Sequence, residues 1–102
     1  MPAFEVSFTD EAQEDLLRLF AYLVQHDVDA AVRARQTIED SFAVLEHFPF
    51  TCRKAKGGDS SPFLRELLIP FGASGYLALF EITDGKRVTV LAVRHQREDD
   101  YH

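Results

Sequence analysis

Only one cysteine, Cys52, occurs in the 102 residues. That excludes an internal disulfide framework and a zinc site built on a cysteine cluster, and a reducing cytoplasm is the expected setting. No apolar run approaches the roughly 18 residues of a membrane span, and no basic-then-apolar leader is present, so no membrane partner is expected. Glycine is sparse, and Gly57-Gly58 lacks the Lys-Ser/Thr of a phosphate loop. His26 and His47 sit at predicted helix ends without partners at ligand spacing, so neither a metal nor any other cofactor is expected. Positive charge is scarce in the first half. Residues 1–47 hold Arg18, Arg33 and Arg35 against ten acids, or −7. From Arg53 to Arg97 eight basic residues meet four acidic ones, or +4, within a chain of net charge −6. This distribution argues against a broad nucleic-acid stripe and leaves room for a confined anionic contact or an acidic protein partner.

What is present suits one globular domain over residues 1–102, with 46% hydrophobic and 27% charged residues. Phe4, Val6 and Phe8 alternate with Glu5 and Ser7, which predicts a strand from Ala3 to Phe8. Thr9 can cap a helix whose first turn carries Asp10 and Glu11 at the positive end of its dipole. Ala12, Leu16, Leu19, Phe20 and Leu23 mark its core stripe, and it is expected to end near Gln25. Asp29 reads as the cap of a second helix lined by Ala31, Ala34, Ile38, Phe42, Leu45 and Phe48. Pro49 stops that helix by pushing Phe48 out of the α region. A short link between two amphipathic helices implies an antiparallel hairpin.

Residues 50–62 read as a loop. Within it Arg53, Lys54 and Lys56 are taken as solvated charge and Cys52 as a quiet thiol. Three strands follow. Phe63, Arg65, Leu67 and Ile69 share one side of the first, and Leu64, Glu66 and Leu68 share the other. Tyr76, Ala78, Phe80 and Ile82 share a face of the second, which spans Gly75 to Thr83. Asp84-Gly85 is a hairpin signal leading to a third strand, Arg87 to Arg94. There Val90-Leu91-Ala92-Val93 is apolar on both faces, which predicts an interior position. The expected fold is α+β, in the order β-α-α-β-β-β, with the helical hairpin packed on a mostly antiparallel sheet.

Several local motifs stand in that order: Ser7-Phe8-Thr9-Asp10-Glu11-Ala12 running into Asp15-Leu16, then Leu64-Arg65-Glu66-Leu67, then Gly75-Tyr76-Leu77-Ala78-Leu79-Phe80. Val90-Leu91-Ala92-Val93-Arg94-His95-Gln96-Arg97-Glu98 closes the set. In combination they resemble the RelE/ParE toxin superfamily of type II toxin–antitoxin systems, and within it the ParE, or plasmid-stabilisation, branch. The resemblance implies a growth-inhibiting toxin in a hetero-oligomer with a cognate antitoxin whose other half binds DNA, and the +4 between Arg53 and Arg97 suits an acidic, amphipathic antitoxin tail. It implies one of two targets, DNA gyrase or the ribosome with its mRNA.

Metal-free RNA cleavage needs a base, a stabiliser of phosphate charge and an acid. RelE-like enzymes resemble one another in meeting this need with several Lys/Arg on the central strands and a C-terminal tyrosine. Here Leu67, Leu77 and Gln96 occupy places where such enzymes carry charge. Arg65, His95 and Tyr101 are the residues left for an RNase. The expectation is therefore a non-enzymatic gyrase inhibitor, with an mRNA interferase or a non-toxic antitoxin-binding module as alternatives. Arg94, His95, Arg97 and Tyr101 are the target-binding candidates. Leu17, Val24, Val44 and Arg65 are the antitoxin-binding candidates. A bland reading competes, in which Arg94 pairs with Glu66 or Glu81 across the sheet.

Overall fold

The computed structural model describes residues 3–55, 62–72, 75–84 and 86–96. Its elements are β1 (Glu5–Phe8), α1 (Asp10–His26), α2 (Val28–His47), a 3-10 turn (Pro49–Thr51), β2 (Arg53–Lys54), β3 (Leu64–Ile69), β4 (Tyr76–Thr83) and β5 (Arg87–His95). The predicted class and order hold, with one two-residue strand added inside the segment read as a loop. The five strands form one sheet in the order β1-β5-β4-β3-β2. β1 runs parallel to β5, and the other neighbouring strands are antiparallel. Both helices pack on one face of this sheet, burying Leu45, Ile69, Phe80, Val88, Val90 and Val93 completely. No helix among the described residues is long and apolar enough to cross a membrane.

Local rules explain most boundaries. Thr9 caps α1 as expected, its Oγ1 accepting from the Ala12 N–H at 3.1 Å. The link between the helices is one residue, Asp27, and not the Asp29 cap read from the sequence. Asp27 is extended, at φ −164° and ψ 104°, and closes both helices. Its N–H donates to the Leu23 carbonyl at 2.7 Å, and its Oδ1 accepts from Ala30 N–H at 3.1 Å. Asp29 falls instead in the first turn of α2. β1 is shorter than its alternation suggests. β5 begins opposite Glu5, so Ala3 and Phe4 have no strand to pair with and donate to the Glu46 carbonyl at the end of α2.

β5 lies between β1 and β4, so its interior position is as predicted, but its path is not regular. Phe80 pairs with Val90 and Leu79 with Ala92, leaving Leu91 as the extra residue of a bulge. The bulge re-phases the strand. Regular alternation from Val88 and Val90 would put Ala92 and Arg94 on the helix side. Instead Val93 enters the core and Arg94 turns to the outer face.

The bulge also turns two successive carbonyls towards β1, and Thr9 takes both. Its N–H donates to the Val90 oxygen at 3.0 Å and its Oγ1–H to the Leu91 oxygen at 3.1 Å. One and a half turns later Asp15 Oδ2 accepts from the Val93 N–H at 2.9 Å. Removing that acceptor strands a partly buried amide beside α1. Asp15→Ala should therefore destabilise the fold by about 1–3 kcal/mol. Urea denaturation checks this: the midpoint should fall with an unchanged slope, and an unmoved midpoint would contradict the tie.

Candidate functional site

Strand alternation divides the chemically interesting residues between two faces. Across β3, β4 and β5 the helix side carries Arg65 opposite Phe80, and Tyr76 between Ile69 and His95. The outer side carries two rows, Leu68–Leu77–Arg94 and Glu66–Leu79–Ala92. Arg94 and His95, grouped in the sequence, thus point to opposite faces. His95 stands edge-on to Tyr76 at 5.6 Å between ring centroids. Arg94 stands beside Leu77, and among the described residues it makes no ion pair with Glu66 or Glu81. Glu66 is claimed elsewhere. Its carboxylate, 6% exposed, accepts from Arg53 Nε at 2.9 Å. Arg97 and Tyr101 lie outside the described residues.

Arg65 has a structural task. Its Nε donates to the Pro62 carbonyl at 2.7 Å, and its Nη1 to the carbonyls of Phe50 at 3.0 Å and Cys52 at 2.8 Å. The guanidinium carbon also sits 5.3 Å from the centre of the Phe50 ring. Phe50 meets both Phe4 and Phe63 edge to face, each at 6.4 Å. Arg65 therefore clamps the two ends of the segment between the 3-10 turn and β3. Partial burial raises the Cys52 thiol pKa above its ordinary value, and the charge of Arg65 offsets part of that rise.

A larger feature lies on the helical hairpin. A groove of about 520 Å³ opens between α1 and α2. Leu16, Leu17, Phe20 and Leu23 form its α1 wall, and Arg35, Ile38 and Glu39 its α2 wall. Phe8, Phe42 and Tyr76 reach its floor, with Phe8 and Phe42 in edge-to-face contact at 5.0 Å. Burial raises the pKa of Tyr76. Of the residues read as antitoxin contacts, Leu17, Val24 and Val44 are all exposed, at 69%, 39% and 38%. Leu17 alone lines the groove, and Arg65 lies away from it. Sequence reasoning missed the floor, because Phe8, Phe42 and Tyr76 read simply as core. The available signal was the width of the α1 stripe, where Leu16-Leu17 and Leu19-Phe20 are adjacent pairs, too wide for burial against one layer.

The comparisons agree with this architecture. Residues 6–100 match the family model described as ParE toxin of type II toxin–antitoxin system, parDE. A curated relative, Toxin RelE1 of Caulobacter vibrioides, is 32% identical over 95 residues, covering 93% of this chain and 96% of the relative. A solved structure described as a chromosomal ParDE TA system from P. aeruginosa superposes with a TM-score of 0.69 at 19% identity. It covers 91% of this chain and 96% of that one. At that identity the likeness concerns the fold.

Two measurements follow from the clamp. Arg65→Ala should cost about 2–4 kcal/mol, and Arg65→Lys should recover little of it, since an ammonium lacks the planar fork that reaches separate carbonyls. Thermal denaturation of both variants checks this, and a fully stable Lys variant would refute it. Cys52 should be alkylated by iodoacetamide more slowly at neutral pH than a cysteine in an unstructured peptide. Its rate should rise with a midpoint above the free-thiol value of about 8.5, because only the thiolate reacts. A midpoint at or below the peptide's would show that burial does not govern the thiol.

Proposed function

This chain belongs to the ParE toxin family of type II toxin–antitoxin systems, and from that premise we propose that it inhibits DNA gyrase by binding, without catalysis of its own. On this reading it acts on gyrase in the cytoplasm and is silenced when a cognate antitoxin occupies the α1–α2 groove.

One observation carries the choice of mechanism. The outer face of the sheet holds Leu68, Leu77, Leu79 and Ala92 in its central rows, with Arg94 beside Leu77 and Glu66 paired to Arg53. RNA cleavage needs a base, an acid and a stabiliser of phosphate charge around one phosphodiester. The candidates read from the sequence that the structure describes are separated: Arg94 faces outward, His95 faces the helices, and the Arg65 guanidinium is bound to backbone carbonyls. A protein that traps another enzyme by docking needs no such set. It needs an exposed surface and a means of being covered, and the groove supports the second requirement.

The test is a supercoiling assay with purified gyrase. Stoichiometric toxin should suppress supercoiling and accumulate cleaved DNA, and antitoxin should reverse both. Unaffected gyrase at saturating toxin would refute the proposal. Cuts in translated message, mapped by primer extension, would move the target to the ribosome.

A further inference from the structure

We infer that the α1–α2 groove takes an amphipathic helix with basic flanks, the opposite sign to the acidic tail expected from the sequence. This inference rests on the reading of the groove as the antitoxin's seat.

The hairpin of α1, its Asp27 link and α2, residues 10–47, contains nine acidic residues and only Arg18, Arg33 and Arg35 against them. Its balance of −6 equals the net charge of the whole chain, so the remainder is neutral in sum. The excess positive charge found between Arg53 and Arg97 belongs to the strand-bearing part of the chain, not to the hairpin. Two of the three hairpin arginines are also held within their own helices. Arg18 lies 3.7 Å from Asp15, and Arg35 lies 3.2 Å from Glu39. Arg35 and Glu39 are the charged residues lining the groove, and they neutralise each other. Glu46 lines the adjoining depression together with Phe8, Glu39 and Phe42, and Asp10 and Glu14 lie within one helical turn of Gln13 and Leu17, so the charge beside the groove is acidic.

The lining suits a helix. It is an apolar trough between two antiparallel helices, and 520 Å³ accommodates an i, i+4, i+7 row of about three large apolar side chains. Such a ridge gives affinity whatever the flanks carry. The flanks decide which helices are accepted, because rim charges act mainly on association and discrimination and do so within a Debye length of about 10 Å. Acidic flanks would meet the acidic excess of the surrounding hairpin, whereas lysine or arginine would meet its complement.

The experiment uses the full chain and a phage-displayed library of helices of about 18 residues. Leucine is fixed on the ridge, and lysine or glutamate is allowed at every flanking position. Selected binders should be enriched in lysine, and a lysine-flanked binder should exceed its glutamate-flanked counterpart by about tenfold in affinity. That advantage should shrink as salt rises from about 0.05 M to about 0.5 M. Glu14→Gln with Glu39→Gln should narrow it as well. Enrichment of glutamate, or no bias, overturns the charge assignment while leaving the groove as the seat. Failure to select any binder, or binders that hold the Leu17→Ser chain as tightly as the parent, overturns both. Leu17 is largely exposed, so its replacement does not threaten the fold.

Discussion

Two successive carbonyl oxygens of β5, those of Val90 and Leu91, accept from the backbone and the side chain of the same residue, Thr9. The rest of the structure depends on that junction. β1 runs beside β5 only as far as Phe8 and then leaves the sheet. The exposed edge that it would leave is a hazard in any β protein. Here the chain turns at Thr9 straight into α1, which Thr9 also caps, and Asp15 satisfies the next edge amide at Val93. A cap is worth about 1 kcal/mol and each hydrogen bond about as much, so the junction contributes a useful fraction of a small domain's stability. It also sets the direction in which α1 crosses the sheet.

The bulge held by this junction decides where side chains go. By adding Leu91 it places both Val90 and Val93 in the core, three residues apart, and sends Arg94 outward while His95 meets Tyr76 on the helix side. A cluster that looks continuous along the chain is thereby divided. The same alternation separates Arg65 from Glu66, one clamping backbone carbonyls on the helix side and the other paired with Arg53 outside. Arg65, and Glu66 with Arg53, hold the β2–β3 edge of the sheet together.

The hairpin is governed by a different constraint. A single extended residue, Asp27, joins two helices of 17 and 20 residues, which forces them antiparallel but does not force them to close along their length. The sheet beneath holds α1 against β5 and α2 towards β1 and β3, and the gap between them becomes the groove. An apolar trough within the acidic part of the chain suits a protein whose activity is governed by a covering partner.

Much of this was legible in the residues. Period-two and helical spacing located the strands and both helices, Thr9 announced its cap, and the motif order from Ser7 to Arg97 pointed to the family. The Asp27 link was missed because Asp27 and Asp29 offer the same side chain, and only the extended backbone at Asp27 distinguishes them. The short strand β2 was missed because two residues carry no period. The sequence by itself determined every α-helix and every strand but β2, their order and the placement of net charge, since these follow from local spacing and composition. The face on which Arg94, His95 and Arg65 act, and the groove floor of Phe8, Phe42 and Tyr76, were decided only by tertiary structure. A one-residue bulge inverts alternation for every residue beyond it, and a gap between helices is a property of their distance, which no single stretch of chain encodes.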